Sequence, residues 1–300
     1  MKMSMSVVPA LQRISRPIGA ILVDAGKLKA HDIDRVLQAQ RQHGMRFGEM
    51  AVKLELISPE DVQHALAAQF AFPYLRPSPG ERLLSAELET AYEPFGPAAE
   101  RFRSLRNHLT LHWLNKADRR QMLCVVGVSP SEGRSYLAAN LAVVFAQAGE
   151  RTLLIDANLR KPRVHELFAL ENRNGLSTLL SGRCGNEAIV HITDLAGLFV
   201  LPAGPTPPNP LELLGQIGFA DFLGSARASF DVVLIDTPSL SDGEDALLIS
   251  ARVGAALPVA RNGHTRVEPL RQFMAEMKAM GIQLPGTVLN TVPSRRAKTR

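Results

Sequence analysis

Apolar positions along the chain follow two different rhythms. Up to about residue 80 they fall three and four apart: Ile33, Val36 and Leu37 recur with Gln40 at helical spacing, and so do Val62, Ala65 and Leu66 with Gln69. From Gln121 onward short, nearly continuous apolar runs take over. MLCVVGV, RTLLIDAN, LFVLPAG, FDVVLIDTP, AALPVAR and PGTVLNTV read as strands, and SYLAANLAVVFAQAG reads as a helix between the first two. Buried strands alternating with helices predict an α/β domain with a doubly wound, mostly parallel sheet, preceded by a small helical domain. Pro258 inside AALPVAR has no N–H for a ladder, which predicts an edge position, a strand start or a bulge.

The helical part is a tandem repeat. IGAILVDAGKLKAHDIDRVLQAQ (18–40) and FGEMAVKLELISPEDVQHALAAQ (47–69) align at a constant offset of 29, with Gly19 on Gly48, Asp32 on Asp61, Leu37 on Leu66 and Gln40 on Gln69. Each unit predicts a short helix, a turn, an acidic N-cap region and a second helix, and tandem units of this kind bury their apolar faces against each other. The stretch RPSPGER (76–82) reads as a linker, so residues 1–80 and 81–300 are expected to form separate domains. A second Pro/Gly cluster, EPFGPAAE, precedes a strongly helical run, AAERFRSLRNHLTLHWLN, and places the start of the catalytic-looking part near Glu87.

Composition narrows this picture without changing it. Three hundred residues, 46% apolar and 21% charged, suit about two ordinary globular domains. The balance is mildly basic, +5 with a pI near 9.5, which favours acidic membrane surfaces, polyanions or nucleotides. The one dense basic cluster, RRAKTR (295–300), reads as a solvated tail. No stretch reaches the roughly 18 uninterrupted apolar residues of a membrane span, and MKMSMSVVPALQR is too short and weakly apolar for a signal peptide. Cys124 and Cys184 form neither a metal spacing nor a disulfide framework, and Cys124 reads as core. A cytoplasmic protein with no nucleic-acid partner is expected.

Candidate chemistry sits at the strand ends. VVGVSPSEGRSYLAANLA (125–142) runs from a strand through a Gly-containing turn into a helix, the layout of a phosphate loop G-x-x-x-x-G-K-[ST], with Val128 at the first Gly position and Arg134 at the Lys position. Two further strands end in an acid, LLIDANLR at Asp156 and VVLIDTPS at Asp236. Ligands of open α/β sheets gather at that edge, and Mg²⁺ binds through one or two carboxylates plus substrate phosphates. Loop and acids together predict a P-loop site for ATP and Mg²⁺. Arg keeps a permanent charge and can fork onto two phosphate oxygens, but it is bulkier than Lys, so slower transfer is expected. Ser131 would narrow the loop's options if its position needs a positive φ.

From about Glu87 to Val292 the chain resembles the bacterial tyrosine kinases of exopolysaccharide export, a branch of the deviant-Walker ATPases related to the partition and MinD families. Their loop P-G-E-G-K-[ST]-[ST] appears as Pro130-Ser131-Glu132-Gly133-Arg134-Ser135-Tyr136, and their motif D-x-D-x-R-x-P as Asp156-Ala157-Asn158-Leu159-Arg160-Lys161-Pro162. Ile235-Asp236-Thr237-Pro238-Ser239, GLSTLLSG (175–182) and GPTPPNPLELL (204–214) match further signatures. The resemblance implies a nucleotide site of Ser131, Glu132, Gly133, Arg134, Ser135 and Tyr136. Ser135, Asp156 and Asp236 would lie at the metal, and Arg134, Asp156 and Asp236 would serve catalysis. Asn290 is similar to a late-strand Asn near the base, or is a plain turn former. Glu100, Arg103 and Arg106 match E-x-x-R-x-x-R, which in that family helps subunits form a ring; otherwise they are one solvated helical arc. Asn158 replaces the second Asp of its motif and removes a negative charge. Tyr74, Tyr92 and Tyr136 are the only tyrosines, so the family's tail of clustered tyrosines is absent. The acceptor is then another protein, or the domain is an ATP-dependent scaffold.

The helical repeat resembles the N-terminal domain of type II secretion and pilus-assembly ATPases. Some relatives of that domain bind cyclic di-GMP through a repeated R-L-G-x-x-[LVI]-[LVI]-x-x-G motif. The second unit keeps Arg46, Phe47 and Gly48 but has Glu55 at the last Gly; the first keeps Ile18, Gly19 and Gly26 but has Pro17 at the Arg. Weak or absent binding is expected, and a docking role. The combination is similar to the EpsG-type, chain-length-determinant branch of the kinases. It implies a homo-oligomeric ATP-binding tyrosine kinase at the inner membrane, docked on a polysaccharide chain-length determinant protein. A non-catalytic scaffold and a cyclic di-GMP-responsive regulator stay open as alternatives.

Overall fold

The computed structural model describes residues 16–69, 75, 84–114 and 121–291. RPSPGER, Tyr74 and the basic tail lie outside the described residues. The chain divides into two compact units, one ending at Pro73 and one beginning at Tyr74. No helix among the described residues is long and apolar enough to cross a membrane.

The first unit comprises α1 (Ile18–Asp24), α2 (Ala30–His43), α3 (Phe47–Lys53) and α4 (Pro59–Gln69). Its repeats pack crosswise, α1 against α4 and α2 against α3. The core uses equivalent positions of both repeats: Leu22 and Ala51, Leu28 and Ile57, Val36 and Ala65. Leu37 is exposed instead, because the buried face of α2 centres on Val36. The acidic N-cap region is a capping box in the second repeat, where the Ser58 N–H donates to Asp61 (3.0 Å) and the Asp61 N–H to Ser58 Oγ (3.2 Å). A Cβ at Gly48 would lie 2.5 Å from Val62, so this glycine is set by close helix approach. Gly26 and Glu55 are both left-handed, φ 67° and 56°. The final Gly of the dinucleotide motif is therefore a backbone requirement in both repeats, and Glu55 meets it under strain.

The second unit begins with α5 (Glu89–Tyr92) and α6 (Pro97–Leu109), the latter continuing as a π-turn through Leu114. Then follow β1 (Gln121–Val126), α7 (Arg134–Gln147), β2 (Thr152–Asp156), α8 (Val164–Leu167), α9 (Leu176–Leu180), β3 (Val190–His191) and β4 (Leu198–Leu201). The chain continues through α10 (Pro210–Gly215), α11 (Ile217–Ser229), β5 (Val232–Asp236), α12 (Asp245–Val253), β6 (Ala256–Arg261), α13 (Val267–Ala279) and β7 (Val288–Asn290). The strands form one sheet in the order β3-β4-β2-β5-β1-β6-β7, parallel except for β3 against β4.

Side chains alternate across this sheet. Leu123, Val125, Leu154, Val232 and Leu234 face one core with α7, while Met122, Cys124, Val126, Leu153, Ile155, Val233 and Ile235 face the other. Both faces being covered explains the continuous apolar runs. Burial pushes the Cys124 thiol up to about 12, so it is core. From Leu137 to Gln147 every residue of α7 is buried, consistent with a helix apolar all round. Its Asn140 is held by Thr90 and the Glu87 carbonyl.

Pro258 corrects one expectation, since β6 lies inside the sheet between β1 and β7. The strand tolerates it because Ala256 donates to Gln283 and pairing with β7 begins only at Val259. The ladder on that side has a gap where the missing N–H falls.

Candidate active site

The turn from β1 to α7 is shaped by two left-handed residues, Ser131 at φ 61° and Gly133 at φ 93°. Such residues bend successive amides toward one concavity, a nest for anions, at the N-terminus of the 14-residue α7. Ser131 thus stands where a glycine would fit without strain. The loop's carbonyls are occupied from outside. Arg134 Nη1 donates to Ser129 (2.7 Å), Arg261 Nη1 to Ser131 (3.0 Å) and Asn290 Nδ2 to Glu132 (3.0 Å). His264 Nε2 lies 3.0 Å from the Pro130 carbonyl; a carbonyl only accepts, so that nitrogen carries a proton.

The Glu132 carboxylate is fully buried between the Thr265 hydroxyl (2.6 Å) and Arg134 Nη1 (3.4 Å). A Cβ at Gly127 would lie 2.3 Å from this carboxylate, so the Glu132 and Arg134 side chains pack onto the open face of that glycine. Sequence reasoning assigned no role to Arg261, His264 or Thr265. Arg261 ends the strand AALPVAR and His264 and Thr265 follow it at the carboxyl edge, the same rule that singled out the two acids.

At that edge Asp156 and Asp236 are direct register neighbours on β2 and β5, both fully buried. Asp156 accepts three backbone N–H groups, from Asn158 (3.1 Å), Arg163 (3.0 Å) and Val164 (3.0 Å). Asp236 Oδ2 accepts the Ser135 hydroxyl at 2.5 Å, and its Oδ1 is buried with no hydrogen-bond partner. Burial raises the proton affinity of Asp156, reinforced by the neighbouring Asp236 charge. Burial raises that of Asp236 against the opposing effects of Ser135 and Arg134. Among the described residues no three His, Cys, Asp or Glu side chains gather as a metal cluster.

No protein-family model matches the chain. The tyrosine-protein kinase wzc of Salmonella typhimurium is 34% identical over 212 residues, which span 71% of this chain and 29% of that protein. YwqD of Bacillus subtilis, also a tyrosine-protein kinase, is 35% identical over 66% of this chain and 83% of its own length. The chain belongs to the bacterial tyrosine-protein kinases. The solved kinase domain of the Escherichia coli tyrosine kinase ETK superposes with a TM-score of 0.67 at 30% identity, covering 75% of this chain and 88% of that one. The chain spans under a third of the length of the first curated relatives it matches.

Within this kinase fold several residues expected at the nucleotide also make specific protein contacts. Arg134 was expected to neutralise phosphates. Its Nε donates to the Thr237 carbonyl (3.1 Å), so the guanidinium braces the loop against the end of β5. The longer fork of Arg reaches two backbone carbonyls at once. The Tyr136 phenol points away from the loop, donating to Glu89 (2.9 Å) and meeting Phe102 edge-on. Asn290 was read as a neighbour of the base or a turn former, and its amide holds the loop. Asn158 Nδ2 donates to the Lys161 carbonyl (2.8 Å), a bond that the carboxylate of the family's Asp cannot make.

Arg160 pairs bidentately with the buried Asp245. In the expected ring arc, Arg103 pairs with Glu100 (3.1 Å) while Arg106 turns inward to the Val144 carbonyl (3.0 Å).

Proposed function

We propose that the chain binds ATP with Mg²⁺ and transfers the terminal phosphoryl group to a tyrosine of another protein, in control of exopolysaccharide chain length and export. The observation that carries this reading is Asp236, with one oxygen on Ser135 and the other buried and unpartnered at the mouth of the phosphate loop. An unsatisfied buried oxygen is costly, and a hard cation shared with a hydroxyl and phosphates removes that cost. Ser135 and Asp236 would hold Mg²⁺, which neutralises phosphate charge. Asp156, its oxygens already accepting N–H groups, would stand beside them. Its raised proton affinity suits a base near neutral pH. As the phenol oxygen bonds to the γ-phosphorus, the bond to the bridging oxygen breaks, ADP leaves, and the phenolic proton passes to Asp156.

By family resemblance we assign the chain a cytoplasmic place at the inner membrane, through a chain-length determinant protein, and a homo-oligomer in which the exposed Glu100 meets a neighbouring copy. The helical unit is assigned to docking rather than to cyclic di-GMP, because Gly48 serves helix packing and Glu55 replaces the last Gly. Calorimetric titration of Mg·ATP should show Ser135→Ala and Asp236→Ala each weakening magnesium-dependent binding by about tenfold or more. Unchanged affinity in both would remove the reading.

The bracing of Arg134 favours one second reading, a nucleotide-dependent scaffold. Arg134→Lys should preserve or raise transfer and Arg134→Ala abolish it. A wild type without transfer that gains it on Arg134→Lys would instead be the scaffold.

A further inference from the structure

We propose that Thr265 and Arg261, with His264 and Asn290, form a positioning clamp that fixes the backbone of the phosphate loop from outside and acts on nucleotide through that backbone and Glu132. The inference rests on the nucleotide-binding reading above. In a trans peptide the C=O and the following N–H point in opposite directions. The carbonyls of Pro130, Ser131 and Glu132 therefore share planes with the N–H groups of Ser131, Glu132 and Gly133, the amides a phosphate loop presents to its anion. Holding each carbonyl outward by His264, Arg261 and Asn290 turns each amide inward before nucleotide arrives. Preorganised donors act without reorganisation on binding.

The clamp is itself braced. The Asn262 N–H donates to the Asn290 carbonyl (2.9 Å), joining the loop after β6 to β7. The Arg261 N–H donates to Thr265 Oγ1 (2.8 Å), so the single hydroxyl proton goes to Glu132 Oε1 (2.6 Å). Glu132 is fully buried, and without Thr265 that oxygen would lose its hydroxyl donor. Thr265 thus controls the side chain that fills the loop's floor against Gly127 and Arg134.

The test is Mg·ADP binding to the full chain by calorimetry, which needs no phosphotransfer. Thr265→Val and Arg261→Ala should each weaken binding by about tenfold, and Thr265→Ser should restore it. If Thr265 works through Glu132, Thr265→Val added to Glu132→Gln should produce no further loss. Hydrogen exchange at the amides of residues 131–133 should quicken in Thr265→Val while the β1 and β5 amides stay protected. A wild type that does not bind Mg·ADP overturns the nucleotide reading and the clamp with it. A wild type that binds, with Thr265→Val and Arg261→Ala binding equally well, overturns the clamp alone.

Discussion

Asp236, the residue proposed to hold Mg²⁺, works against stability. Its carboxylate is fully buried beside Asp156, with one oxygen unpartnered, so in the metal-free protein its charged form is disfavoured. Asp236→Asn should therefore raise the metal-free stability, by about 1–3 kcal/mol, while magnesium-dependent binding is lost. Because folding raises the proton affinity of both acids, protonation favours the folded state. That contribution is complete below about pH 4, the ordinary carboxylate value, and is lost as pH rises into the neutral range. Melting curves at acid and neutral pH should show the metal-free wild type losing more stability than Asp236→Asn. An equal loss in both would mean that the pair is not the origin of the effect. Ser131 is the second residue of this kind: Ser131→Gly should release left-handed strain worth about 1 kcal/mol, read as a higher melting temperature.

Among the elements, the crosswise helices of the first unit carry the most specific demands. Gly48 lets α3 approach α4, and a methyl there would lie 2.5 Å from Val62. Gly48→Ala should cost about 1–3 kcal/mol through overpacking. Glu55→Gly, at φ 56°, should gain up to about 1 kcal/mol, less the extra chain entropy of glycine. Hydrogen exchange of the 16–69 amides in the full chain measures both, with opposite signs expected; Gly48→Ala without effect would refute the close-approach argument. This repeat was readable because its core positions recur at equal offset. The crosswise pairing was not, since either arrangement buries the same apolar positions.

For the whole molecule, the decisive question is where phosphate goes. Among the described residues the two tyrosines are engaged: the Tyr92 hydroxyl accepts from the Leu84 N–H and donates to its carbonyl, and Tyr136 donates to Glu89. Labelled ATP should therefore mark tyrosines of an added membrane partner and neither Tyr92 nor Tyr136. Phosphopeptide mapping that finds label on either would contradict transfer to another protein alone.

The sequence by itself determined the strand-helix alternation, the repeat, the two acids and the loop, because each leaves a local trace in hydrophobic period or motif spacing. At Ser131 the sequence raised only a conditional demand, and the folded turn between β1 and α7 supplied the positive φ. Of the edge, strand-start and bulge placements open to Pro258, the edge one failed because a gap in the neighbouring ladder depends on where β7 begins. Only the tertiary structure decided what holds the loop. Arg261, His264, Thr265 and Asn290 lie more than 125 positions beyond it in the chain, and the parallel sheet brings their strand ends to the same edge. The direction of Arg134 was likewise undecided until Ser129 and Thr237 stood within reach, because a long flexible cation takes the nearest well-placed carbonyls.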